Sequence, residues 1–172
     1  MIVEDGSIVA NADSYSTVAA ADTYWTDRNN PDAWSNAIDS EKEAALIIAT
    51  QYLDITYHTR WKGYPTSSEQ SLDWPRINVV RQNGSVYDSD EMPVALLQAT
   101  AEMALRSIEG VDLFPDLDTS GAIKRTMDKA GPVETETEYV GGASGIPVFP
   151  TVGGLLISGD LIDASSNRVY RG

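Results

Sequence analysis

The chain has 172 residues and a mass of 18.6 kDa, long enough to bury one proper core, and with no cysteine it excludes disulfides, thiolate metal sites and cysteine nucleophiles. Its net charge of −14 and pI near 4.2 oppose tight general nucleic-acid binding, unless the few basic residues gather on one face. The first residues lack a basic region followed by an apolar run, and no stretch approaches the roughly 20 apolar residues of a membrane span, so a soluble protein without membrane contact is expected.

Residues 1–13 are polar and rich in Gly, Asn and Asp, the composition of an extended or loosely held arm. Thr17 can then cap a helix from Val18 to about Arg28, with Val18, Ala21, Tyr24 and Trp25 on one face and Asn29-Asn30-Pro31 as its end. Asp32 to Asp39 holds Trp34 and Ile38 in a short segment expected to pack on the helices. Ser40 and Glu43 have the spacing of a capping box for a second helix that runs to about Tyr57. The inner side of that helix reads as Ala44, Ile47, Ile48, Gln51, Tyr52 and Ile55.

Residues 58–82 form a Trp-rich loop. Trp61, Trp74 and Tyr64 are interleaved there with Arg60, Lys62, Arg76 and Arg81. Two uses fit these residue types: a long loop pinned to the core by its aromatic rings, or a contact surface. As a surface it supplies rings for stacking single-stranded bases and cations for phosphates, through Arg60, Trp61, Lys62, Tyr64, Trp74, Arg76 and Arg81. Both tryptophans must then be exposed.

After the loop, Ile77 to Val80 is β-branched and Asn83-Gly84 reads as a tight turn, together a small hairpin. A third helix is expected from Pro93 to about Ile108, ended by Gly110, with Leu96, Ala99, Thr100, Met103, Ala104 and Ser107 inward. Asp112 to Asp118 reads as a turn. Ile123 to Met127 and the alternating Val133 to Val140 read as strands about a Gly131-Pro132 turn. Beyond the Gly-rich spacer 141–145, the apolar runs Ile146 to Pro150 and Leu155 to Ile157 suggest a tail that either docks on a partner or folds back on its own core.

Catalytic chemistry finds little support. His58 is the sole histidine, no dinucleotide fingerprint or phosphate loop is present, and no metal set is spaced for ligation, so a non-enzymatic protein without cofactor or metal is expected. The fold class reads as mainly α: a small helical-bundle domain over residues 14–130, a short β-hairpin, and an extended arm with a β-strand over 131–172.

Several motifs carry a family resemblance. Ser14-Tyr15, Glu43 to Leu46, Ala49 to Asp54, Arg60 to Gly63, Gln70 to Leu72, Trp74 to Arg76, Met92-Pro93, Ile123 to Arg125 and Gly131 to Val133 resemble a tailed-bacteriophage family labelled DnaT-like single-stranded-DNA-binding protein. In length and helical layout the chain also resembles phage head–tail connector or adaptor proteins. The connector resemblance implies a structural virion protein in the neck between capsid and tail, assembled in the host cytoplasm. It implies a homo-dodecameric ring beneath the portal protein, above a downstream tail or neck protein, with double-stranded DNA passing through unbound. On that reading Arg60, Trp61, Lys62, Trp74 and Arg76, with Val133, Tyr139, Ile146, Val148, Phe149, Leu155 and Leu156 of the arm, meet the portal or a neighbouring subunit. The other label implies a single-stranded-DNA-binding accessory protein of phage replication or recombination.

Overall fold

The computed structural model describes residues 1–115, 126–130, 133–137 and 146–163, the two strand segments by their backbone alone. It forms two units, one of Met1–Val111 with the chain from Val148 onward, the other Asp112–Pro147.

The first unit is helical. α1 (Val18–Thr26) is capped as its sequence requires, Thr17 Oγ1 accepting from Ala20 N at 3.1 Å. It ends two residues before the expected Arg28. Asn29 and Asn30 take positive φ there, a conformation asparagine tolerates, and Asn30 N returns to Trp25 O at 2.8 Å. α2 (Asp32–Asn36) buries Trp34, whose indole Nε1 donates to Asp22 Oδ1 at 2.8 Å. Ile38, expected to pack beside it, is exposed.

α3 (Asp39–Tyr57) starts before the expected cap. Glu41 Oε2, not Glu43, reaches back, accepting from Ile38 N at 3.0 Å, and Ser40 lies inside the first turn. Its buried face is Lys42, Ala45, Leu46, Ala49, Thr50, Tyr52, Leu53 and Tyr57, so the expected inner side is corrected: of that set only Tyr52 is buried, while Ala44, Ile48, Gln51 and Ile55 are exposed. Lys42 accounts for part of the misreading. Its stem is buried, and its Nζ donates to Asp22 Oδ1 at 2.8 Å, 5.2 Å from the centre of the Trp34 ring.

α4 (Val94–Ile108) matches expectation. Leu96, Ala99, Thr100, Met103 and Ala104 are buried, and the helix closes with Val111 N on Arg106 O and Gly110 N on Ser107 O around a left-handed Gly110. α3 and α4 form the main helical pair, with α1 laid against both. Small residues on α4 let the two approach closely, and full burial of side chains such as Leu46, Leu53 and Met103 contributes roughly 1.5–3 kcal/mol each.

The region read as an apolar leash contains a helix. α5 (Pro150–Ser158) packs on α4 with Val152 and Leu156 buried, so this part of the expected extended arm folds back on the core. The first residues are tied down as well. Val3 bridges Ser14, and the buried Glu4 carboxylate accepts from Gly6 N at 2.8 Å, Ile8 N at 3.0 Å and Val9 N at 2.9 Å.

Two small antiparallel sheets complete the described residues. In the helical unit β1 (Tyr64–Pro65) pairs with β2 (Arg76–Ile77), Tyr64 opposite Ile77. The expected Asn83-Gly84 turn is present, with Gly84 N on Arg81 O at 2.9 Å and a bridge between Val80 and Val86. In the second unit β3 (Thr126–Ala130) pairs with β4 (Val133–Thr137) from Thr126 opposite Thr137 to Ala130 opposite Val133. Ile123 to Arg125, the Gly131-Pro132 turn, Glu138 to Val140, the spacer 141–145 and residues 164–172 lie outside the described residues, as do Asp116 and Asp118. No helix among those described is long and apolar enough to cross a membrane.

Candidate nucleic-acid interface

The loop begins where α3 ends. Arg60 N and Trp61 N both return to Tyr57 O, turning the chain sharply, and Gly63 takes φ 67° where a Cβ would collide with the Ile77 carbonyl. From there β1 and β2 hold the two limbs together. A row of rings lies beneath: Tyr57 to Trp61 at 5.8 Å, Trp61 to Trp74 at 6.0 Å, and Trp74 to Tyr87 at 6.2 Å between centroids, the last two edge-on. Trp74 is fully buried and Trp61 nearly so.

Arg76 is buried too, and its guanidinium serves the backbone. Nε donates to Lys62 O at 2.8 Å, Nη2 to Gly63 O at 3.0 Å and Nη1 to Asp73 O at 3.1 Å, closing the loop on itself. Burial draws its pKa below the ordinary arginine value. Trp61, Trp74 and Arg76 are therefore the pins of the loop. They offer no ring or charge to a partner, which corrects their place in both the interface set and the DNA-binding set.

A network that the sequence did not announce joins the loop to the core. Asp54 on α3 accepts from the Tyr15 hydroxyl and from Asp73 N at 3.2 Å, while Tyr15 OH accepts from Trp74 N at 3.2 Å. Asp73 in turn accepts from Trp61 Nε1 at 3.0 Å and lies 3.0 Å from His58 Nδ1. Burial pushes the Asp54 carboxyl up to about 7, reinforced by the Asp73 carboxylate and opposed by the Tyr15 hydrogen bond. Tyr15 is raised well above its ordinary value, by burial first and by Asp54 second. An open groove of about 530 Å³ runs alongside, lined by Asp54, His58, Ser67, Gln70 and Asp73 among others. Its lining mixes these acidic and polar groups with Ile55, Pro65 and Leu72, and among the described residues no group of three His, Asp or Glu side chains could hold a metal ion.

The outer side of the loop is different. Tyr64 is 68% exposed. Arg60 and Lys62 lie beside the chain that follows α5: Arg60 Nη2 donates to Asp163 O at 3.3 Å, and Lys62 Nζ is 3.8 Å from both Asp160 Oδ1 and Asp163 Oδ1. Asp160 also accepts from Gln82 N at 2.9 Å, drawing the turn after Arg81 to the same place. Arg81 stacks 3.6 Å from the Tyr87 ring centre and pairs with Glu91 at 2.8 Å. Arg60, Lys62, Tyr64 and Arg81 thus remain available, each cation already facing an acid or a carbonyl. The basic residues were legible in the sequence. Asp160 and Asp163, about a hundred positions away, were not.

The remaining expected interface residues scatter. Phe149 packs edge-on against Tyr52 at 5.7 Å beneath the Arg106 guanidinium, Leu156 is buried, Leu155 is half-buried and Val148 is exposed. Ile146 belongs to the second unit, as does Val133, known by its backbone alone, and Tyr139 lies outside the described residues.

The fold and this loop define a mainly helical protein with a small antiparallel sheet that carries an aromatic-pinned, basic loop. The chain belongs to the family described as "Putative DnaT-like ssDNA binding protein", whose model matches residues 1–172. No curated protein and no solved structure matches it. The family match overturns the head–tail connector expectation, and with it the virion vocabulary of neck, portal and dodecameric ring. Strong acidity is a bulk property shared by many proteins, and within the arm expected to meet the portal or a neighbouring subunit, Pro150–Ser158 is a helix packed on its own core.

Proposed function

We propose that the protein binds single-stranded DNA as a non-enzymatic accessory factor of phage replication or recombination, through the outer side of the 58–82 loop. The observation that carries this reading is the family match over the whole chain. Tyr64 is the ring for base stacking, and Arg60, Lys62 and Arg81 are the phosphate contacts. Trp61, Trp74 and Arg76 hold the platform in shape from beneath.

The acids around the loop set the character of the binding. A phosphate reaching Lys62 must compete with Asp160 and with Asp163, whose side chain is 85% exposed and free to swing away. Affinity is therefore modest and strongly salt-dependent. Three phosphate contacts on a single strand give a slope of log K against log salt of roughly −2.

Fluorescence anisotropy with a labelled oligonucleotide, titrated from low to moderate salt, tests this. Tyr64→Ala should weaken binding by roughly 1–3 kcal/mol, the worth of one stacked base. Its circular dichroism should stay unchanged, since the ring lies outside the core. Asp163→Asn should strengthen binding a few-fold by removing one of the two acids that face Lys62. Failure of the unaltered protein to bind at low salt discards the reading; binding untouched by Tyr64→Ala moves it off this loop.

A further inference from the structure

The groove of about 530 Å³ beside the loop takes no part in the DNA-binding reading. Its walls set the carboxyls of Asp54 and Asp73 and the imidazole of His58 against an apolar side of Ile55, Pro65 and Leu72. Ile55 is 51% exposed and the His58 side chain 71%, so the apolar side and its polar edge both face solvent.

The chain after α5 is aimed at this groove. Leu161 O accepts from Lys62 N at 2.9 Å, Ile162 bridges Trp61 in the antiparallel sense, and Asp163 O accepts from Arg60 Nη2 at 3.3 Å. Each step forward along 161–163 is therefore a step back along the loop, toward His58 at the end of α3. Residues 164–172 continue from there, outside the described residues and in the same unit as the groove. They read Ala164-Ser165-Ser166-Asn167-Arg168-Val169-Tyr170-Arg171-Gly172, with two arginines, one tyrosine and no acid in a chain of net charge −14.

We propose that residues 164–172 dock in this groove, with Arg168 on Asp73 and Tyr170 against Ile55, Pro65 and Leu72. Direction, reach and complementarity select this occupant. The direction is that of the antiparallel pairing at 161–163. For reach, the extended chain from Asp163 to Tyr170 spans up to about 25 Å, and Asp163 is already bonded to Arg60, two positions from His58. Residues 168 and 170 of an extended run share one face, which sets a cation beside a ring just as the groove sets a carboxylate beside an apolar wall. Asp73 accepts from Trp61 Nε1 and lies 3.0 Å from His58 Nδ1, yet a carboxylate has about four lone-pair sites and takes a further donor. Val169 and Arg171 then face outward.

The tether sets the strength needed. A short linker holds its segment at an effective concentration in the millimolar range, so a free affinity of only about 1 mM fills the groove about half the time. One ring and one charge-assisted pair suffice for that. The docking stands independently of the DNA-binding reading.

Proton–carbon NMR of the full chain without DNA tests it, because His58 is the sole histidine and its ring signals identify themselves. Arg168→Gln combined with Tyr170→Ala should shift those signals, through loss of the cation and ring beside them. Arg171→Gln, the same charge change on the outward side, should leave them in place. Contact is read by cross-linking, which the absence of native cysteine makes clean. Val169→Cys with Ser68→Cys on this groove should close a disulfide within one chain several-fold faster than Val169→Cys with Asn36→Cys on a different groove. Ser68 and Asn36 are both exposed, so neither cysteine disturbs the core. Unmoved His58 signals, an equal shift from Arg171→Gln, cross-linking no faster at Ser68, or a disulfide joining two chains would each overturn the proposal. A fall in oligonucleotide affinity with His58 unmoved would overturn it too, and would assign the segment to DNA.

Discussion

Replacing Asp54 by asparagine isolates the carboxyl that ties the loop to α3. In the folded protein this group titrates at about 7, against an ordinary 3.8, chiefly because it is buried. Facing it are the Tyr15 hydroxyl, the Asp73 carboxylate, His58 and, further off, the Arg76 guanidinium. Between the two values the folded state keeps a proton that the unfolded chain has released. The stability contributed by protonated Asp54 is thus fully present below about pH 4 and is lost as pH rises through about 7. At roughly 1.4 kcal/mol for each tenfold change in ionisation, the full span is about 4 kcal/mol. The groove beside Asp54 admits water and screens the ionised form, so about 2 kcal/mol is the expected magnitude. Unfolding of the native protein and Asp54→Asn should be followed at several pH values from about 4 to about 8, and the difference in stability taken at each, so that the other carboxylates cancel. Relative to the variant, the native protein should lose about 2 kcal/mol across that window, equivalent to roughly 4–8 °C in melting temperature. A flat difference, or one of opposite slope, refutes the reasoning.

Two substitutions test the packing directly. Trp74→Ala empties the centre of the ring row and should cost about 3–5 kcal/mol, lowering the melting temperature by roughly 6–20 °C; an unaltered melt would mean that the ring is not core. At Gly6, φ is 102° and a Cβ would collide with the Asp90 backbone, so Gly6→Ala should destabilise by about 2–3 kcal/mol in chemical denaturation, and a neutral result would show that the first residues are not held against the 88–91 turn.

Much of the helical layout can be read from local chemistry. Thr17 before an apolar-periodic run, Pro93 at a helix start and Gly110 at its end are signals that short-range hydrogen bonding obeys. The face of α3 could not be read the same way. Its isoleucines at 48 and 55 form one apolar stripe while Ala45, Leu46, Ala49 and Leu53 form another, and only the packed neighbours decide which turns inward. A buried Lys42 on the winning face pointed the wrong way. α5 was missed because Gly153 and Gly154 each cost a helix roughly 1 kcal/mol in propensity, a deficit that its packing on α4 overrides.

At the loop itself, composition singled out the stretch but not which of its large residues are buried. Tryptophan and arginine are large enough to serve as either ligand contact or structural pin, and burial separates the two uses. Tyr64, the most exposed ring of the stretch, sits in a β pair whose partner, Ile77, lies thirteen residues further on, so its exposure follows from register.

The base of the loop is fastened by the far end of the described chain. Lys62 N donates to Leu161 O at 2.9 Å, Trp61 bridges Ile162, and the Tyr87 hydroxyl donates to Gly159 O at 2.8 Å. During synthesis, residues 58–87 leave the ribosome well before positions 159–162 exist. At about 5–20 residues per second they wait several seconds without their closing contacts. Over that interval the rings of Trp61, Trp74 and Tyr87 have helices to lean on but no clasp, and the nascent chain exposes an aromatic surface that the finished protein hides. The loop is completed last, only when the segment from Gly159 to Ile162 arrives, and a chain stalled before residue 159 lacks that clasp.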